Sequence, residues 1–139
     1  TTLFRSADYI TPNLKELNAV LPSPVKNDDG DVERAARYAM ERFGIHAAVA
    51  TRSECGLSLV TEGTAVHIPT KAQEVFDVSG AGDTVIAAFA LALAGGVAPE
   101  SGAYLANLAA SVVVAKVGTY AVSKEELLAA LEREGRDES

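Results

Sequence analysis

Asp77-Val78-Ser79-Gly80-Ala81-Gly82-Asp83-Thr84 runs directly into an uncharged stretch, Val85–Gly96, and its reading decides the fold. An acidic residue and two glycines one apart lead to a second acidic residue and then to Val-Ile-Ala-Ala-Phe-Ala-Leu-Ala-Leu-Ala. Such a run of strong helix formers predicts a buried helix that begins near Gly82 and stops at Gly95-Gly96. The first N–H groups of a helix lack partners within it, and the helix dipole places partial positive charge there. A glycine turn at that point lets an anion approach the backbone closely.

Asp83 falls in the first turn, beside the place a phosphate would take. A carboxylate there repels a resting phosphate but suits the removal of a proton from a hydroxyl that attacks phosphorus. The bland alternative is that Asp83 complements the helix start and the glycines make a tight turn. Two other phosphate motifs are excluded. A Walker A loop ends in Gly-Lys-Ser/Thr, and no Lys is present here. The dinucleotide fingerprint requires a third small residue where this chain has Val85.

The order Asp77–Asp83, followed by Thr84 and an Ala-rich helix, resembles the second signature of the ribokinase-like (PfkB) carbohydrate kinases, Asp-Thr-x-Gly-Ala-Gly-Asp in its general form, with Val78 and Ser79 in the second and third places. The resemblance extends over almost the whole chain. It implies an α/β fold, specifically the carboxyl-terminal half of a ribokinase-like three-layer α/β/α domain carrying the nucleotide-binding side. It also implies Asp83 as catalytic base, and the amides of Gly80, Ala81 and Gly82 as an anion hole.

The chain has 139 residues, enough for one domain, and 48% of them are apolar. Its formal net charge of −7 argues against nucleic acid or an anionic membrane as partner. No apolar run has the length and flanks of a membrane span. Thr1-Thr2-Leu3 reads as an internal start, so the chain is expected to be part of a longer protein. Cys55 is the single cysteine, which fits a reducing cytoplasm. His46 and His67 lack metal-ligand spacing and are read as strand or loop residues.

In chain order, Ala7–Ile10 reads as the end of a strand stopped by Thr11-Pro12. Asn13-Leu14-Lys15-Glu16 has the form of a capping box for a helix over 14–21. That local role explains the tetrad by itself; the family resemblance adds a second one. In those kinases the tetrad lies near the triphosphate, so Asn13 and Glu16 are expected at Mg²⁺, acting through water. Pro22–Gly30 reads as a loop. Residues 31–43 have helical spacing, with Val32, Ala35, Ala36, Ala39 and Phe43 toward a core and Glu33, Arg34, Arg37, Glu41 and Arg42 in solvent. Gly44 ends that helix. Residues 45–50 read as a buried parallel strand. Residues 57–60 and 64–68 read as a hairpin around Glu62-Gly63.

Thr51–Gly56 is the loop at the end of the parallel strand, a place where ligands bind in layered α/β folds. Related kinases carry Thr-x-Gly-x-x-Gly there, near the nucleotide. This chain keeps Thr51 and Gly56 but has Ser53 at the middle glycine. The form Thr-Arg-Ser-Glu-x-Gly is similar to one branch, the kinase domain of bifunctional ADP-heptose synthases, as is Pro69–Ala88. Arg52 is read either as a partner for phosphate or as a surface arginine. A helix over 101–116 holds Asn107 among small residues, which suits close helix packing. The resemblance places Asn107 and Ser111 beside the adenine. It also places a monovalent cation, K⁺, near Asp77 and Ser79 and the carbonyls of Val117–Thr119. Ser123 and Glu126 read as a capping box for residues 124–133, and 135–139 as a charged, frayed tail.

The expected enzyme transfers the γ-phosphoryl of ATP, with Mg²⁺, to the anomeric hydroxyl of D-glycero-β-D-manno-heptose 7-phosphate. Another sugar or nucleoside acceptor, or a non-catalytic nucleotide-binding module, is the alternative. Expected partners are the sugar phosphate, ATP, the amino-terminal half of the same kinase domain, and further copies of the parent. Sugar recognition belongs largely to that other half, so these 139 residues alone are expected to be nearly inactive.

Overall fold

A computed structural model describes residues 8–70, 81–114 and 122–137. The chain divides into two compact units, Thr1–Pro69 and Thr70–Ser139.

The first unit is built on a four-stranded sheet with its strands in chain order: β1 (Tyr9–Ile10), β2 (Ala47–Thr51), β3 (Leu57–Thr61) and β4 (Ala65–Ile68). β1 and β2 are parallel, and the β2–β3 and β3–β4 pairs are antiparallel. Helix α1 (Leu14–Val20) and helix α2 (Asp29–Phe43) form the β1-to-β2 crossover. Parallel strands need such a connection.

α2 covers one sheet face because its small residues fall on one stripe. Val32, Ala35, Ala36 and Ala39 are buried with Leu17 and Met40 against Ala48, Ala50 and Val60. In the β2–β3 register, Ala48 opposes Val60 and Ala50 opposes Ser58, so these share the α2 side. Phe43, expected in this core, is exposed instead; it lies one turn past the covered stripe, with the Arg42 guanidinium 5.8 Å from its ring centroid. α2 also starts two residues earlier than expected, because Asp28 caps it through a bond from the Asp31 amide. It ends at Gly44, whose φ of 66° suits a residue without Cβ. Arg37, read as solvated, reaches across to the carbonyls of Thr61 (2.7 Å) and Glu62 (3.2 Å) and ties α2 to the hairpin turn.

The second unit contains α3 (Ala81–Ala94), α4 (Pro99–Val114) and α5 (Lys124–Asp137). α3 and α4 pack closely through small residues. Gly102 faces Ala92 and Phe89, and Ala103, Ala106 and Ala109 are fully buried. α3 is not buried all round as its composition suggests: Val85 and Phe89 are covered, whereas Ile86 is 45% and Leu91 75% exposed. The helix thus presents an open apolar face. α5 carries the expected Ser123–Glu126 box, with the Glu126 amide on Ser123 Oγ at 3.1 Å and the Ser123 amide on Glu126 Oε1 at 3.3 Å. It continues through Gly135 and Arg136 to Asp137, where a frayed tail was expected. Arg136 complements the carboxyl end of the helix dipole, and Tyr104 of α4 donates to Glu134 at 2.8 Å.

Candidate functional site

In the first unit the expected site residues lie at the carboxyl ends of β1 and β2. Asn13 leaves β1 in an extended conformation and caps α1. Its Oδ1 accepts from the Glu16 amide at 2.8 Å, and Glu16 Oε2 accepts from the Asn13 amide at 2.9 Å. The reciprocal capping box is therefore complete. It uses one carboxylate oxygen of Glu16 and leaves Oε1 for another contact. Both side chains are exposed. This donor set fits Mg²⁺ held through water rather than by a protein cage, the usual manner for that ion.

Thr51 pairs with Asn13 in an isolated parallel bridge, and the Thr51 amide donates to the Pro12 carbonyl at 2.9 Å. The structure thus brings the Asn13–Glu16 tetrad and the Thr51–Gly56 turn side by side. The turn is a single 3₁₀ turn, Ser53–Cys55, closed by the Arg52 amide on the Gly56 carbonyl at 2.8 Å. Ser53 has φ 53° and Gly56 φ 87°. Ser53 therefore holds a left-handed backbone, a conformation that favours glycine.

Arg52 is not a surface arginine; it is 4% exposed. Its Nε donates to Asn27 Oδ1 (2.9 Å), and Nη1 to Asp29 Oδ1 (2.6 Å) and Ser58 Oγ (3.2 Å). Nη2 reaches the Asn27 carbonyl at 3.3 Å, and Asn27 Nδ2 returns a bond to the Arg52 carbonyl at 3.1 Å. Ser58 Oγ also meets His67 Nδ1 at 2.7 Å. The hydrogen bond from Arg52 holds the Asp29 carboxyl below the usual carboxylate range. Asn27 and Asp29 were not read as site residues; their polar loop gives no periodic signal for a partner so distant in sequence.

In the second unit Gly82 and Asp83 occupy the first turn of α3, and both are exposed. A Cβ placed on Gly82 would meet nothing within 4 Å. Gly80, Asp77, Ser79 and Val117–Thr119 lie outside the described residues, as does the side chain of Ala81. Asn107 is buried on α4, and Ser111, four residues on, shares its face. The Ser111 hydroxyl donates to the Leu108 carbonyl at 2.6 Å. Among the described residues there is no cluster of three or more His, Cys, Asp or Glu side chains fit to hold a metal directly. No helix among them is long and apolar enough to cross a membrane.

Residues 1–126 match the family model described as pfkB family carbohydrate kinase. The chain belongs to that family. It is 47% identical over 134 residues to the bifunctional protein HldE of Rhodospirillum rubrum, a match covering 96% of this chain and 27% of that protein. It is 52% identical over 130 residues to HldE of Mesorhizobium japonicum, covering 94% of this chain and 26% of that one. This family member therefore spans about a quarter of the length of these relatives. Its fold is ribokinase-like. The ribokinase of Thermotoga maritima matches with a TM-score of 0.82 at 29% identity, over 94% of this chain and 44% of that one. The Arabidopsis thaliana ribokinase solved with ribose and ATP matches with a TM-score of 0.83 at 27% identity, over 94% and 42%.

Proposed function

We propose that the full-length protein carrying this chain is a cytoplasmic, ATP-dependent sugar kinase acting on the anomeric hydroxyl of D-glycero-β-D-manno-heptose 7-phosphate, toward ADP-heptose and the inner core of lipopolysaccharide. The observation that carries the reading is the exposed carboxylate of Asp83 in the first turn of α3, behind a glycine with open space around it. Similarity to the HldE proteins and the Thr51–Gly56 form support the choice of sugar. The ribokinase solved with ribose and ATP supports ATP as donor.

In this reading Asp83 accepts the proton of the attacking sugar hydroxyl. The new bond joins that oxygen to the γ-phosphorus, the bond from the γ-phosphorus to the β–γ bridging oxygen breaks, and ADP leaves with the electron pair. Amides of Gly80, Ala81, Gly82 and Asp83 hold the charge on the transferred group. Asn13 and Glu16 would hold a hydrated Mg²⁺, which neutralises phosphate charge when bound. Thr51, Ser53 and Gly56 line the nucleotide with their backbone, and Asn107 and Ser111 flank the base. Asp77 and Ser79 contribute to a K⁺ site. Residues outside this chain supply most of the sugar pocket, so the 139 residues alone turn over little or no substrate.

The test is ADP release by the full-length protein with Mg²⁺ and ATP across a panel of acceptors. Heptose 7-phosphate should exceed ribose and fructose 6-phosphate. Faster turnover of either of those would reassign the substrate, and no turnover of any sugar would remove the kinase reading.

A further inference from the structure

We propose that Asn27, Asp29 and Arg52 form a positioning cluster that sets the Thr51–Gly56 turn for ATP, with Arg52 acting through the turn rather than on phosphate. The inference rests on the kinase reading above and deepens it.

The guanidinium of Arg52 makes four hydrogen bonds, to Asn27 twice, to Asp29 and to Ser58, which leaves little of its fork for an anion. It is almost fully buried. Turning it outward to a phosphate would take the donor away from Asn27 Oδ1 and break the Asp29 pair, at the cost that attends lost bonds to a charged group. The backbone of the same residue closes the turn at both sides. The Arg52 amide donates to Gly56, and the Arg52 carbonyl accepts from Cys55 (3.0 Å) and from Asn27 Nδ2. Asn27 thus grips Arg52 by carbonyl and side chain together, and Asp29 anchors the grip at the start of α2. The cluster also supports the left-handed Ser53 immediately next in sequence, a conformation that persists only when its surroundings over-determine it.

A direct phosphate ligand and a positioning cluster differ in their kinetics. In the full-length protein, Asn27→Ala should raise KM for ATP about tenfold, the scale of one lost hydrogen bond's worth of placement, with KM for the sugar acceptor unchanged. Arg52→Gln should do the same. The double variant should be no worse than the larger single effect, as expected for residues acting as one unit. Arg52→Lys should resemble Arg52→Gln, because an ammonium lacks the fork that fits Asn27 and Asp29. If Arg52→Gln fails to fold, Asn27→Ala and Asp29→Asn, which sit on more accessible residues, carry the test. The cluster is overturned if Asn27→Ala leaves KM for ATP unchanged, if Arg52→Lys restores ATP binding, or if the variants lower only the melting temperature. Absence of turnover in the wild type would be seen first, and would sink the kinase reading and this inference together.

Discussion

Asn13 and Thr51 lie opposite one another in an isolated parallel bridge, closed by the Thr51 amide on the Pro12 carbonyl at 2.9 Å. One residue caps α1 and the other opens the turn after β2. Two segments that the sequence separates by a helical crossover are thereby held by backbone alone. The Asn13 side chain is left to cap α1.

Glu16 permits its two roles to be separated. Glu16→Gln keeps an oxygen that accepts from the Asn13 amide, so the capping box and the melting temperature should survive. If the carboxylate also acts on Mg²⁺, the full-length variant should need more Mg²⁺ for half-maximal turnover. An unchanged Mg²⁺ titration would leave Glu16 a cap only. Asn13→Ala, in contrast, should cost about 1 kcal/mol of stability, read by thermal or denaturant unfolding.

Asp83→Asn should lower kcat roughly a hundredfold to ten-thousandfold, the usual worth of a general base. Because Asp83 is exposed, its melting temperature should barely move. A near-normal rate in the full-length variant would take the base role away from Asp83.

Ser53→Gly should stabilise the protein by about 1 kcal/mol, since Ser53 sits at φ 53°, where a Cβ is strained. Chemical denaturation of both proteins measures this. No gain would mean that contacts of the serine offset the strain.

Gly102 is buried, and a Cβ there would lie 3.4 Å from Ala92 Cβ and 3.5 Å from the Phe89 ring. Gly102→Ala should therefore be tolerated, while Gly102→Val should destabilise by about 1–3 kcal/mol through overpacking between α3 and α4. Equal melting temperatures for the two variants would contradict this packing.

Asp29 sets a pH dependence. Its carboxyl is held below the usual range first by the Arg52 hydrogen bond and then by the nearby His67 and Arg52 charges, against a desolvation that raises it. A depressed folded value means that the carboxylate stabilises the fold above its ordinary pKa of about 3.9, and that this is lost as pH falls through the lower folded value. Wild type should exceed Asp29→Asn in stability near neutrality, and the difference should shrink below about pH 4. A difference independent of pH would dissociate Asp29 from the pair.

Local signals in the sequence reached far into the fold. The spacing of Val32, Ala35, Ala36 and Ala39 found the buried stripe of α2, Glu62-Gly63 found the hairpin turn, and Asn13-x-x-Glu16 found its box. These features depend on neighbours within a few residues. What escaped depends on distant ones. Arg52 finds Asp29 at a sequence separation of 23, and no period or cap announces that. The open side of α3 escaped for a related reason: an uncharged helix need not be covered on every side, and composition carries no record of its neighbours. Phe43 shows the same limit from the other direction, an aromatic residue at a helical position that the sheet does not reach.

That uncovered side of α3 also governs how the polypeptide behaves as a colloid. Ile86 and Leu91 leave apolar surface open along a helix whose charge is Asp83 in the first turn, so repulsion from the −7 balance should help to keep copies apart near neutral pH. Titrating toward the isoelectric point near 4.8 removes that repulsion, and the excised segment should then cloud, with the Leu91→Lys form staying clear.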